Sequence, residues 1–190
     1  MKQPLLFLLA VTSLSACNNK AEDKNAETLV KADTIVKTIS QKPDSVDNPE
    51  LAAIAAEREN SLKAEFKNFK IYTITDTIKA DFNGDKIFDL AYFTHDNKKE
   101  IYIIDGKTKT ATKVGLDKSF GDMGTDFDWV DFWGTINDPE TYDAVVKDDE
   151  VVGARKAKLK NISLFVRRDE VGGGVITFKN GKYIWVHQSD

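Results

Sequence analysis

Oxygen-bearing side chains recur at mostly alternate positions in residues 81–89, whose sequence is DFNGDKIFD. These side chains belong to Asp81, Asn83, Asp85 and Asp89. Calcium takes six to eight oxygen ligands, and a loop with oxygen side chains at alternate positions and a main-chain carbonyl at its seventh position, here Ile87, supplies them. A plain polar turn is the alternative, because Asn83-Gly84 favours a hairpin turn and Asp side chains accept hydrogen bonds from nearby N–H groups. The segment therefore predicts either a cation-binding loop or a turn between two strands.

The spacing of the segment does not fit an EF-hand. In that motif the twelfth position is a bidentate glutamate and helices flank the loop. Here the twelfth position is Tyr92, and the flanking residues are strand-like rather than helical.

Residues 80–93, ADFNGDKIFDLAYF, resemble the loop of FG-GAP repeats, which also occurs in VCBS-type repeats and in integrin α-chain propellers. The pattern there is roughly D-x-[DN]-G-D-G-x-x-D-[LIV], between two strands. The resemblance implies a bound calcium ion that stabilises the domain, with affinity near that of extracellular modules, about 10⁻⁴–10⁻³ M. It implies as ligands the side chains of Asp81, Asn83, Asp85 and Asp89 and the carbonyl of Ile87.

The chain departs from this pattern at Lys86, where glycine is usual. Lysine in a turn that needs a positive φ adds about 1 kcal/mol of strain, and it places a positive charge near the proposed ion. The resemblance covers residues 71–106 in a single copy. Because a propeller needs about four or more blades, we do not expect a complete propeller.

The beginning of the chain has the features of a secretion signal. A short apolar run follows Lys2, too short to span a bilayer as a helix, and it ends in LSAC at residues 14–17. This tetrapeptide resembles the lipobox of bacterial lipoproteins. The resemblance implies cleavage after residue 16, lipid attached to Cys17, and a protein anchored in the cell envelope, with the outer membrane favoured on its periplasmic or surface face.

Composition divides the remainder into a stalk and one domain. Residues 17–48 are polar and charged, and we interpret them as a flexible stalk, whereas residues 49–190 form the predicted β-rich domain. Cys17 is the only cysteine, so no intramolecular disulfide is expected, and a net charge of -4 argues against a nucleic-acid partner. The expected partners are the membrane, through the lipid, and a protein or a glycan.

The domain is predicted to be mainly β (α+β), an antiparallel sheet or sandwich with one packed N-terminal helix. The helix is expected over 49–69, begun by Asp47 or Asn48 as cap and Pro49 in the first turn. Its apolar stripe comprises Leu51, Ile54, Ala55, Leu62, Phe66 and Phe69. Strands are predicted at 71–80, 90–95, 100–105, 162–168 and 174–188, the last containing an Asn180-Gly181 hairpin turn. The basic run ARKAKLK at 154–160 is interpreted as a solvated segment.

A second group of carboxylates lies among aromatic residues at 120–134, FGDMGTDFDWVDFWG. Its acidic members are Asp122, Asp126, Asp128 and Asp131. Two carboxylates in an aromatic cleft would suit glycoside hydrolysis, and an exposed tryptophan would suit sugar or partner binding. The simplest interpretation is that the aromatic side chains build the core and the aspartates face water.

These observations lead to one functional expectation and two alternatives. The expectation is a lipid-anchored envelope protein with a non-catalytic, calcium-binding domain that contacts a protein or glycan. The first alternative is an envelope hydrolase acting on glycans through the carboxylates of 122–131. The second is a purely structural lipoprotein with no metal.

Overall fold

Strand-forming runs dominate the computed structural model, which describes residues 48–94, 96–115, 120, 126–148 and 150–189. The described residues belong to one compact unit. The elements in this part of the chain are the helix α1 (Pro49–Glu65) and the strands β1 (Phe69–Tyr72), β2 (Ile78–Ala80), β3 (Asp89–Phe93), β4 (Ile101–Ile104), β5 (Ala111–Lys113), β6 (Phe132–Ile136), β7 (Glu140–Lys147), β8 (Glu150–Lys158), β9 (Ser163–Arg168), β10 (Gly172–Lys179) and β11 (Lys182–Ser189).

The strands form three antiparallel groups. A five-stranded sheet has the order β1-β6-β9-β10-β11, a four-stranded sheet has the order β2-β3-β4-β5, and β7 pairs with β8 as a hairpin. Over the described residues this is a mainly β fold with one N-terminal helix and neither a closed barrel nor a propeller, which confirms the predicted fold class.

The five-stranded sheet lies at the centre and is covered on both faces. In β9, Leu164 and Val166 join the core shared with the four-stranded sheet, whereas Phe165 joins the core beneath α1. Successive side chains of a strand point to opposite faces, so a strand buried on both faces is apolar almost throughout. This explains why the predicted strand at 162–168 has a continuous apolar run.

Helix α1 begins where predicted and ends earlier than predicted. The Asn48 side chain accepts a hydrogen bond from the Glu50 N–H at 3.0 Å, so Asn48 is the N-cap. The helix ends at Glu65 rather than residue 69, because Phe66 adopts an extended conformation that places its ring against Phe165, with ring centroids 6.4 Å apart. Within the described residues, no helix is both long and apolar enough to cross a membrane.

The predicted apolar stripe of α1 is only partly correct. Within the helix only Leu62 is fully buried, while Leu51 remains 54% exposed and Ala55 is exposed. Polar contacts hold the helix instead: the Arg58 guanidinium pairs with Asp169 at 2.6 Å. The helix therefore packs through its second half, where the central sheet lies beneath it.

The predicted strand at 71–80 was wrong and the β7–β8 hairpin was not predicted, whereas the predicted Asn180-Gly181 hairpin is confirmed. The predicted strand 71–80 is two strands in different sheets, because Asp76 N–H donates to the Thr73 carbonyl and closes a turn between them. The β7–β8 hairpin was not predicted, and the basic run 154–160 lies largely within β8. Asn180 and Gly181 have φ values of 53° and 83° and join β10 to β11, as a type I′ turn requires.

Candidate functional site

The 81–89 segment is a loop whose two ends are held by neighbouring strands. Strands β2 and β3 pair in antiparallel register, with Ala80 opposite Asp89. Phe82 is 1% exposed and belongs to the core between the two sheets. The loop is thus fastened by the sheet at its ends and by an aromatic side chain near its start.

Asp89 is the structural centre of the loop, and its side chain is fully buried. One carboxylate oxygen accepts hydrogen bonds from the Phe82 N–H at 3.0 Å and the Asn83 N–H at 3.3 Å. The other oxygen accepts from the Gly106 N–H at 2.8 Å. A buried carboxylate is stable only where hydrogen bonds replace its lost hydration, and three main-chain donors do so here.

Asp81 holds the turn at the middle of the loop through hydrogen bonds from main-chain N–H groups. Its two oxygens accept hydrogen bonds from the Gly84 N–H at 2.7 Å and the Lys86 N–H at 2.9 Å. Lys86 has a φ of 70°, the left-handed conformation that the glycine of the FG-GAP pattern would adopt without strain. The structure thus gives Lys86 the positive φ that was expected for the turn at this position.

The next side chains of the loop also accept hydrogen bonds from main-chain N–H groups within it. The Asn83 side-chain oxygen accepts from the Asp85 N–H, and an Asp85 carboxylate oxygen accepts from the Ile87 N–H, both at 2.9 Å. Asp85 and Ile87 are solvent-exposed. All five residues of the predicted ligand set therefore lie in one loop, and its side-chain oxygens face main-chain N–H groups.

Two residues outside the predicted set complete the site. Asp105 follows β4, and its carboxylate accepts a hydrogen bond from the Asn83 side-chain amide at 2.9 Å. Asn161 donates to the Phe82 carbonyl at 3.2 Å. Its side chain also covers Gly84, where an added Cβ would lie 2.4 Å from the Asn161 oxygen. Asp105 lies within residues 71–106, which the resemblance covers, but outside the implied ligand set; the sequence DG at 105–106, a turn signal, could have drawn attention to it, whereas no pattern singled out Asn161.

Hydrogen bonds stabilise the charged form of Asp105. The Thr108 N–H lowers the pKa of this carboxyl below its usual value, an effect that removal from water opposes. The Thr108 hydroxyl, the Lys107 N–H and the Asn83 amide lower the pKa further. Asp105 therefore adds a stable negative charge next to the loop.

The site is rich in carboxylates that form no ion pairs among the described residues. In the part of the chain that the structure describes, no Lys, Arg or His forms an ion pair with Asp81, Asp85, Asp89 or Asp105. Burial raises the pKa of the neighbouring Tyr183 phenol well above its usual value, and these four carboxylates raise it further. Tyr183 and the four carboxylates thus lie close enough to affect one another electrostatically.

The residue types at the loop suit calcium, since the proposed ligands are oxygen atoms and no cation among the described residues forms an ion pair with them. Their present placement is not that of an assembled metal centre. Among the described residues, no three His, Cys, Asp or Glu side chains come together as a group that could hold a metal ion. The chemistry of the donor set therefore fits the ion, while the carboxylates contact the loop's own N–H groups.

The described carboxylates of the 120–134 region accept hydrogen bonds from main-chain N–H groups, one within the segment and two from distant parts of the chain. Asp126 accepts from the Asp128 N–H at 2.9 Å, Asp128 from the Lys99 N–H at 2.6 Å, and Asp131 from the Asp169 N–H at 3.0 Å. Asp122 lies outside the described residues. The aromatic side chains of this region supply the core: Phe127 and Trp133 are both fully buried.

Residues 1–47, which include the predicted signal, Cys17 and nearly all of the predicted stalk, lie outside the described residues. The predicted lipidation site accordingly stays a prediction from the LSAC sequence. No family model, no curated protein and no solved structure matches this chain.

Proposed function

We propose that this protein is a lipid-anchored protein of the bacterial envelope whose non-catalytic β domain binds calcium at 81–89 and contacts a protein or a glycan. The observation that carries the calcium assignment is the set of unpaired acidic side chains. Asp81, Asp85, Asp89 and Asp105 lie in and beside one loop without an ion-pair partner in the described part of the chain. A divalent cation would relieve their mutual repulsion.

A groove beside the loop supports a glycan as partner. It has a volume of about 260 Å³, and hydroxyl, carboxylate and aromatic groups line it, including Asp105, Thr108, Phe178 and Tyr183. Phe178 and Tyr183 pack edge to face, with ring centroids 5.1 Å apart. Sugars present hydroxyls to polar oxygens and C–H faces to aromatic rings, so the lining suits this class of ligand.

Calcium should raise the thermal stability of the full chain. With a dissociation constant of about 1 mM, 10 mM calcium would add about 1.4 kcal/mol to the free energy of unfolding. Thermal melts in 10 mM calcium and in chelator measure this difference, with magnesium as the competing ion. The matched variant Asp85→Asn removes one exposed charge and keeps an acceptor for the Ile87 N–H, so it should lose much of the gain.

Equal melting temperatures in calcium and chelator would contradict the calcium assignment. A gain that Asp85→Asn leaves unchanged would place the ion elsewhere.

The lipid anchor is tested separately. Wild-type protein expressed in a Gram-negative host should partition into the detergent phase and incorporate labelled fatty acid. Cys17→Ser removes the only thiol and should abolish both, while Ser15→Ala keeps a small residue before the cysteine and should abolish neither. Fatty-acid incorporation into Cys17→Ser would overturn the assignment of the lipid to Cys17. It would not affect the calcium proposal.

A further inference from the structure

Large apolar side chains are exposed beside one another at the end of the 81–89 loop. Ile87 is 40% exposed and Phe88 is 61% exposed, and Leu90, the second residue of β3, is 37% exposed. Contact of such side chains with water is unfavourable, and neighbouring exposed apolar residues often mark a surface that meets a membrane or another molecule. The end of the loop therefore has the composition of a contact surface.

The turn that follows β4 lies against these side chains. A Cβ added to Gly106 would be 2.0 Å from the Phe88 carbonyl oxygen and 2.9 Å from the Ile87 Cγ2 atom, so the two segments are in contact. Together they form one surface region, which we call the tip and define as residues 85–88 and 105–109.

Four lysines lie at or beside the apolar side chains of the tip. All four are exposed: Lys79, Lys86, Lys107 and Lys109. The Lys79 ammonium lies 5.2 Å from the centre of the Phe88 ring, and the Lys109 ammonium donates to the Gly106 carbonyl. The other two lysines are the chain neighbours of Ile87 and Gly106. None of the four forms a salt bridge within the described residues, so their charges are available to an anionic partner.

The carboxylates of the loop balance these lysines when no metal is bound. The formal charges of the four lysines cancel those of four carboxylates, which belong to Asp81, Asp85, Asp89 and Asp105. A calcium ion bound among the carboxylates would add two positive charges and leave the region cationic. An anionic surface attracts such a region, whereas it has little attraction for a neutral one. This step rests on the calcium binding proposed for 81–89.

From these observations we infer that the tip inserts into the surface of a bilayer that contains anionic phospholipid, and that bound calcium is required for the insertion. A bilayer offers a negatively charged surface above an apolar interior, which matches lysines placed around Ile87 and Phe88. About 30 residues separate Cys17 from the domain, so the proposed lipid anchor would keep the tip near the bilayer. Tethering raises the effective concentration of the tip, and a weak contact is then sufficient.

A fluorescent probe at the tip tests this inference. In the full chain with Cys17→Ser, which removes the only native thiol, Phe88→Cys carries a nitrobenzoxadiazole label. Vesicles of equal parts phosphatidylglycerol and phosphatidylcholine, with millimolar calcium, should shift its emission to shorter wavelength and raise its intensity several-fold. Pure phosphatidylcholine vesicles, or chelator, should give no shift. The label reports only on its own surroundings, so the apolar run after Lys2 does not contribute.

The matched control carries the same label on Val171→Cys. Val171 lies in the β9–β10 turn and is 60% exposed, nearly the same as Phe88. Its label should show no shift in any of these mixtures. Magnesium at the same concentration controls for general effects of divalent ions on the vesicles, and far-UV circular dichroism checks that both labelled variants are folded.

Removal of lysine charges supplies an independent test. Lys79→Gln with Lys107→Gln, in the protein labelled at 88, should raise the vesicle concentration at half the maximal shift about tenfold, because two attractions to the anionic surface are lost. The control pair Lys98→Gln with Lys147→Gln removes the same charge from exposed positions outside the tip and should leave that concentration unchanged.

Several outcomes would overturn the inference. They are no shift at 88, an equal shift at 88 and 171, an equal shift with pure phosphatidylcholine, a shift that chelator leaves unchanged, and an equal effect of the two lysine pairs. The thermal melts in calcium and chelator separate this inference from the proposed function. Stabilisation by calcium without a shift at 88 would overturn the inference alone, whereas the absence of both would also overturn the calcium assignment.

Discussion

Replacing Asp89 with alanine should lower the free energy of unfolding by about 3–5 kcal/mol. The side chain is fully buried and accepts hydrogen bonds from the N–H groups of Phe82, Asn83 and Gly106. Alanine leaves these donors without an acceptor, and each unsatisfied buried donor costs about 1–3 kcal/mol. Urea unfolding, followed by tryptophan fluorescence in the presence of chelator, measures the change without any contribution from calcium.

Asp85→Ala is the matched control. Asp85 lies in the same loop but is exposed, and its carboxylate accepts one hydrogen bond, from the Ile87 N–H. Its loss should cost less than about 1 kcal/mol, since water can replace the bond. If the two variants were equally stable in chelator, Asp89 would not organise the loop.

Replacing Glu65 with alanine should cost about 3 kcal/mol. Arg167 lies in the central strand β9 and is 3% exposed, and its guanidinium donates to Glu65 at the end of α1 and to Gln188 of β11. Removing the carboxylate takes a charged partner away from a buried guanidinium, which is unfavourable because the interior solvates the charge poorly. Urea unfolding again supplies the measurement.

Glu59→Ala is the control for this experiment. Glu59 forms an exposed pair with Lys63 on α1, and such pairs contribute about 0.5 kcal/mol or less. The double variant Glu65→Leu with Arg167→Met should recover much of the stability, because apolar residues of similar size often replace a buried ion pair without loss. If Glu65→Ala were no worse than Glu59→Ala, the buried pair would not hold α1 to the sheet.

Local features of the sequence were sufficient for the β-rich class, the helix start and one hairpin. Asn48 and Pro49 define the beginning of α1 through contacts within a few residues. Asn180-Gly181 defines the β10–β11 turn because these residues tolerate positive φ. The alternating oxygens of 81–89 likewise predicted one continuous segment: Asp81, Asn83 and Asp85 lie between β2 and β3, and Asp89 begins β3.

Features that depend on distant residues were decided only by the tertiary structure. The turn at Thr73–Asp76 sends β1 and β2 to different sheets, although their apolar pattern reads as one strand. Asp105 and Asn161 join the loop from other parts of the chain, and Glu65 meets Arg167 across 102 residues. The physical reason is that local propensity acts over a few residues, whereas burial and charge pairing depend on which surfaces meet when the sheets pack. Asp89 illustrates both the local and the tertiary contribution. Its spacing in the sequence suggested an ion ligand, and the packing of the sheets made it the buried hydrogen-bond acceptor that holds the loop together.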